Sequence, residues 1–397
     1  MKILIVHSNF NQKNLLKQPW RFSYELSYCL VKLGHEVCIL TDSSFKDSKN
    51  IDNLKIQTVP PEYIRSKLGQ NKTIMNFDIM LYFGNSLSGI YLSEWKRRRP
   101  KLDLYISSIH YSIYELSALS PRELRMLWPH LLFSVPPFSY AVRLLNRSTI
   151  SAIIVPNNVL KDRLIEYGVK KEKINVLPVH FNLKEFIHST SNDKDEARKM
   201  LELSDEDFII TYFGSPLTIR GTDTLIKAAQ LLKRWLKKFK VFLLSRTDSL
   251  LEMKENDYLY SLIKKFNLST NVKLVPGILN QSEIKNYIVA SDVIALPFKI
   301  VQSEPPLSIL ECMALGRSII TTRTCGLPSL VSPNRGLLVK PADYKNLARS
   351  ILFLAENPDV RVKFENNAKE YISNLPPLEN IVRLYIKLME DVNAKND

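Results

Sequence analysis

Apolar positions along the chain fall into a pattern that recurs. Lys2–His7 holds a continuous apolar run, the mark of a strand buried on both faces. Phe22–Leu33 then sets Phe22, Leu26, Leu30 and Leu33 at helical spacing, Gly34-His35 ends it, and Glu36–Leu40 returns as a strand. Such a βαβ unit predicts a right-handed crossover and a parallel sheet. Further strands are predicted at Lys55–Val59, Asp78–Tyr82, Leu104–Ser108 and Ala152–Val155. The pattern restarts at Phe208–Gly214, followed by a helix over Thr222–Lys238. Strands are then predicted at Val241–Leu244, Val272–Leu274, Val293–Leu296, Ser318–Thr321 and Gly336–Val339. A last helix, about Leu378–Val392, carries Ile381, Leu384, Tyr385, Leu388 and Met389 at helical spacing. No strand follows it, so it must pack on something already built.

One architecture is therefore expected twice: an α/β chain of two Rossmann-like doubly wound domains facing across a cleft. The polar stretch Phe181–Asp207 is the linker. The expected division is 1–182 and 183–376, with the helix 377–395 returning to the first domain. In open α/β sheets ligands bind at the carboxyl ends of the strands.

Within this frame Ser303–Gly316 stands out. It reads as a loop entering a buried helix, with Pro305 and Pro306 in the first turn, Glu304 near the positive end of the helix dipole and Gly316 as the stop. Glu311 is the odd residue. Its helical neighbours are Ser308, Ala314, Leu307 and Leu315, a surface on which a carboxylate is costly without a partner or a task.

Composition narrows the class. The 397 residues are 45% hydrophobic and 24% charged, which is globular and long enough for two domains. A net charge of +15 suits phosphorylated ligands or an anionic membrane surface, and no recognised nucleic-acid motif is present, so no nucleic-acid partner is expected. Cys29, Cys38, Cys312 and Cys325 lack metal-ligand spacing, so buried thiols in a reducing, cytoplasmic setting are expected. The opening run is too short for a signal peptide, and no run spans a membrane. The basic run 95–101 and the basic, aromatic-rich 124–147 are candidate contacts to anionic membrane. Pro129, Pro136 and Pro137 argue against one continuous helix in the second. Asp205-Glu206-Asp207 resembles a metal-binding carboxylate pair only superficially, since it precedes a strand in the linker.

The order of motifs resembles the GT-B-fold retaining glycosyltransferases of family 4 (group 1 type). Arg21–Leu26 with Leu33–Val37 is similar to the family's first helix and second strand, and Ser107–His110 to a strand end that presents a histidine to the donor sugar. Tyr212-Phe213-Gly214 followed by Arg220–Ala228 resembles the diphosphate-binding loop and helix. Val275-Pro276-Gly277, Ala290–Val293 and Leu310–Gly316 complete the run to the signature helix. The resemblance implies metal-independent transfer of a sugar from a nucleotide-sugar co-substrate to a glycan or lipid-linked acceptor, with retained configuration. It implies an acceptor-side first domain, a donor-binding second domain and a peripheral membrane location. By the same resemblance His110 and Arg220 are catalytic candidates. Gly214, Ser215, Arg220, Arg246, Glu304, Leu307, Ser308 and Glu311 would bind the donor, with Glu311 on the ribose hydroxyls and no metal site.

Four departures fall at the donor. Ser303 stands eight residues before Glu311, where the family has glutamate, and Glu304 is one place off. Pro305 and Pro306 offer no N–H groups. Ser215 follows Gly214 where a basic residue is usual. The loop Ser8–Pro19 has no glycine pair and instead carries Lys13, Lys17 and Gln18. These departures motivate an alternative: a catalytically inactive relative that binds a sugar, a lipid or a partner protein.

Overall fold

The computed structural model describes residues 1–15, 17–42, 54–61, 64, 76–84, 104–107, 111–131, 142–143, 145–148, 150–179, 181–183 and 194–396. Two parallel sheets organise them. The first orders its strands β3-β2-β1-β4-β5-β6-β7, with β1 Lys2–His7, β2 Glu36–Thr41, β3 Lys55–Thr58, β4 Ile79–Gly84, β5 Leu104–Ser107, β6 Ala152–Val155 and β7 Ile174–Val176. The second runs β10-β9-β8-β11-β12-β13, with β8 Phe208–Gly214, β9 Phe239–Arg246, β10 Val272–Gly277, β11 Val293–Ala295, β12 Ile319–Thr322 and β13 Gly336–Val339. Strand order reverses beside β1 in one sheet and beside β8 in the other, which opens a crevice at each.

Most predicted elements are present, with shifted ends. The first helix is Trp20–Lys32, and the helix after β8 stops at Trp235, short of Lys238. β9 extends two residues at each end beyond the predicted run. The linker stretch contains the helix Lys194–Met200, and Ile174–Val176 forms a strand that the pattern did not predict. Helix Pro121–Leu131 takes in Pro129 near its end, where the missing N–H removes a single bond.

The signature helix is Leu307–Ala314, so both prolines lie outside it. Pro306 is the N-cap, extended at φ −61°, ψ 123°. Pro305 precedes a proline and is thereby disfavoured in the helical region, which sets the start at Leu307. The last helix, Leu378–Asn396, does cross back: Tyr385 packs on Phe22, ring centroids 5.7 Å apart. Its buried stripe is Ile381, Val382, Tyr385, Met389 and Val392, while Leu384 faces outward.

The two halves also grip each other. Helix Ile113–Ser117 is closed by a capping box, in which Ser112 accepts from Glu115 N and Glu115 accepts from Ser112 N. The same Glu115 carboxylate takes Arg163 at 3.1 Å from its own half. From the other half it takes Cys325 N at 2.9 Å and the Thr324 hydroxyl at 3.0 Å. Burial pushes its pKa up, but Arg163 and the hydrogen bonds outweigh burial and hold it below the usual range. Beside this contact Tyr111, Leu119 and Leu127 pack with Ile219 and Ile300 in a small core of their own.

Candidate active site

The carboxyl ends of β1, β8 and β9 bring the candidate residues together. Glycine closes β8 at Gly214, and a short turn, Thr218–Arg220, leads into helix Thr222–Trp235. Gly221 has φ +81°, and a Cβ there would meet the carbonyl oxygen of Pro297 at 1.9 Å. Only glycine lets this turn lie against the exit of β11. The turn folds Arg220 back, so that its Nη1 would stand 3.2 Å from a Cβ at Gly214, with the guanidinium 5.3 Å from the Phe298 ring centroid. Among the described residues no carboxylate forms an ion pair with Arg220. Burial lowers its pKa, Tyr212 opposes this, and Arg246 adds to it as a like charge.

Arg246 ends β9, opposite Gly277 of β10. Its Nε is buried without a hydrogen bond among the described residues and lies 3.9 Å from Asp248. Lys17, on the first loop of the other half, bonds the same Asp248 across the cleft. Gln18 Nε2 beside it is buried without a partner among the described residues.

Glu311 lies one turn into helix Leu307–Ala314, with only 13% of its side chain exposed. It makes no hydrogen bond among the described residues. Its ion-pair partner is Arg21, Nη1 to Oε1 at 4.0 Å, from helix Trp20–Lys32 of the first half. Burial raises its pKa to about 7, against the opposing pull of Arg21 and Arg246. One turn before it the Ser308 hydroxyl is buried and has no partner among the described residues, and the helix start has no side-chain cap at Pro306. Leu307 and Ser308 thus offer free first-turn N–H groups at the positive end of the helix dipole.

Other buried carboxylates are occupied. Glu304 accepts from Gly326 N at 2.6 Å and from the Asn157 amide, which reaches over from the first half. Asn157 also caps helix Asn158–Glu166 by accepting from Leu160 N at 2.9 Å. Burial raises the Glu304 pKa against these bonds. The structure thus gives Glu304 bonds between the halves and away from the N–H groups of its own helix, because proline fills the positions between. The Ser215 hydroxyl is bonded to Glu252 at 2.9 Å. A cavity of 280 Å³ at this end of the cleft is lined by Glu304, Asn157, Pro305, Pro306, Leu310 and Tyr371 among others, and does not include Glu311 or Arg220.

His110 and the run 95–101 lie outside the described residues, as do 132–141 and 144 of the segment 124–147. The pattern did not single out His7. It ends β1 between Trp20 and Phe83, ring centroids at 5.7 and 4.9 Å, with Nδ1 bonded to Ser23 at 2.7 Å. Burial lowers the ring's pKa to about 3, so the imidazole is neutral, and the Ser23 hydroxyl also reaches the Trp20 carbonyl at 2.9 Å. A histidine at the end of an apolar strand run was the available signal.

Comparison with known proteins bears on the fold around this site. Residues 193–371 match the family model described as glycosyl transferases group 1. A GDP-mannose-dependent monoacylated alpha-(1-6)-phosphatidylinositol monomannoside mannosyltransferase of Corynebacterium glutamicum is 26% identical over 189 residues, 46% of this chain and 47% of the relative. A D-inositol 3-phosphate glycosyltransferase of Actinosynnema mirum is 27% identical over 221 residues, 54% of this chain and 52% of the relative. The chain thus spans about half the length of the curated relatives it matches. Among solved structures, Anabaena HepE in complex with UDP and glucose superposes with a TM-score of 0.74 at 18% identity, covering 98% of this chain and 99% of HepE. Sucrose-phosphate synthase from Thermosynechococcus elongatus superposes at 0.76, also at 18% identity, covering 99% of each chain. The match to the group 1 family thus lies in the half of the chain built on the second sheet, and the chain as a whole has the GT-B fold.

Proposed function

We propose that the protein is a glycosyltransferase that moves a sugar from a nucleotide-sugar to a glycan or lipid-linked acceptor, with retention and without a resident metal. The observation that supports it best is Glu311. It is largely buried, has no hydrogen bond among the described residues, and stands near two arginines, Arg21 of the first half and Arg246 at the end of β9. A carboxylate accepts from two vicinal hydroxyls, which suits a ribose. In the reaction the bond from the anomeric carbon to the diphosphate oxygen breaks, and the nucleoside diphosphate leaves with the electron pair. Arg220 and Arg246 oppose the charge that develops there, as do the first-turn N–H groups of Leu307 and Ser308. The acceptor hydroxyl forms the new bond on the face the leaving group vacates, and its proton passes to a diphosphate oxygen.

The acceptor proposal has its own support. Ile113, Tyr114 and Trp128 are 73%, 48% and 61% exposed, with Arg125 exposed one turn before Trp128. Exposed aromatic and basic side chains of this kind suit the surface of an anionic bilayer on the cytoplasmic side, where lipid-linked acceptors would be met. No helix among the described residues is long and apolar enough to cross a membrane.

Titration calorimetry with UDP-, GDP- and ADP-sugars, paired with transfer assays of E311A and R220A, tests the reading. Binding of one donor and loss of transfer in both variants are expected, and near-normal transfer in either sinks the site. A second reading, a catalytically inactive relative that binds a sugar, a lipid or a partner protein, is favoured by the occupied Ser215 and Glu304. It predicts affinity for none of the three donor classes.

A further inference from the structure

Arg21 is fixed on three sides. Its Nε donates to Glu25 at 2.9 Å, its Nη2 donates to the Asn182 carbonyl at 3.2 Å, and the guanidinium lies 5.9 Å from the Phe181 ring centroid. Asn182 N donates in turn to Glu25 at 2.8 Å, so the segment 181–182 and the first helix hold the guanidinium between them. Only Nη1 is directed at the second half, towards Glu311. At 4.0 Å it is too far for a hydrogen bond yet close enough for strong Coulomb attraction in a buried setting. A cation held at that distance favours the ionised carboxylate while leaving its lone pairs free.

We propose that Arg21 is a positioning residue of the nucleotide site: from the first half of the chain it keeps Glu311 a carboxylate, able to accept both ribose hydroxyls. This rests on the reading that Glu311 holds the ribose. A protonated Glu311 has one acceptor oxygen fewer at full strength, so its ionised fraction sets the grip on the nucleotide. The charged group that faces Glu311 from the remaining side is Arg246 of β9, and Cys312 is its neighbour on the same helix. Helix Pro358–Ser373, which also packs on Leu307–Ala314, brings Lys369 against Gly316 and Glu365 beside Arg317. Because Arg21 and Glu311 sit on opposite halves, moving the halves apart would weaken the nucleotide site at the same time.

The test is the affinity for UDP, GDP and ADP, by calorimetry, between about pH 6 and about pH 9, a range that brackets the ionisation of a raised carboxyl. For the nucleotide that binds the wild type, R21Q should be about tenfold weaker near pH 7 and should recover towards wild type near pH 9, where Glu311 ionises unaided. An R21Q affinity lowered by the same factor at every pH would mean that Arg21 only packs, and an unchanged profile would mean that it does nothing; either overturns the proposal. Arg21 also ties Glu25 to segment 181–182, so R21K carries the test if R21Q does not fold. Lysine keeps the charge without the guanidinium's anchors. Its pH dependence should match wild type even where its affinity drops, and a profile displaced to higher pH counts against the proposal. E311Q separates the two levels: unchanged nucleotide affinity removes the ribose reading itself. Lost affinity in E311Q with a wild-type profile in R21Q removes only the role of Arg21.

Discussion

Lys299 joins the two halves of the chain through Glu123: its Nζ lies 2.7 Å from that carboxylate and 2.9 Å from Asp223 on its own side. All three side chains are buried. Removing one member of a buried ionic cluster leaves the others uncompensated, so K299M should lower unfolding stability by about 3 kcal/mol. Denaturant titration measures it. Burial pushes the Asp223 pKa up, but Lys299 and Lys227 outweigh burial and hold it below the usual range. Its contribution is therefore present above the unfolded pKa and lost as pH falls through the folded one. K299M should flatten that acid limb.

Glu311 gives the opposite sign. Its folded pKa is raised by burial to about 7, so it favours folding while protonated, and that stability is lost as pH rises through about 7. E311Q cannot ionise. It should match wild type near pH 4 and exceed it by up to about 3 kcal/mol above pH 8, the equivalent of the shift. Thermal unfolding across pH measures this, and no gain in the basic range would mean that Glu311 is already well stabilised as an anion.

Arg220 and Arg246 should differ in weight. Arg220 has no acidic partner among the described residues and Arg246 lies near Asp248. R220A is expected to lower kcat/KM by about a hundredfold or more, the scale of removing one donor from a charge-stabilising site. R246A should cost less. Steady-state kinetics of both variants gives the ranking, and an equal or reversed order would contradict it.

Glu304 and Ser215 are expected to behave as structural residues. E304A removes the acceptor for Gly326 N and Asn157 and should cost about 2 kcal/mol in stability, while S215A should cost about 1 kcal/mol. In each, donor affinity measured by calorimetry should stay within about threefold of wild type, well under the 1.4 kcal/mol that a tenfold change represents.

The legible parts of the chain were those with a local signature. Apolar runs at Lys2–His7 and Phe208–Gly214 identify their strands, because a strand covered on both faces has no room for polar side chains. Ile174–Val176 escaped because three residues with a central asparagine carry no period. Glu311 was legible as a carboxylate on an apolar helix surface. The partners of Glu304 were not, since Asn157 is 147 positions away in sequence and Gly326 is 22. The ion pair of Arg21 with Glu311 was invisible for the same reason: nothing near either residue signals a contact that forms only once both sheets are built.

The return of helix Leu378–Asn396 to the first half bears on how the protein is made. Phe22 leaves the ribosome 363 positions (385 − 22) before its neighbour Tyr385. Until that helix emerges, one face of Trp20–Lys32 stays uncovered while the second sheet can already close on its own residues. Assembly during translation would thus finish at the amino-terminal half. Nascent chains arrested before Leu378 should be selectively open to protease along Trp20–Lys32, a helix that domain-by-domain folding would otherwise cover first.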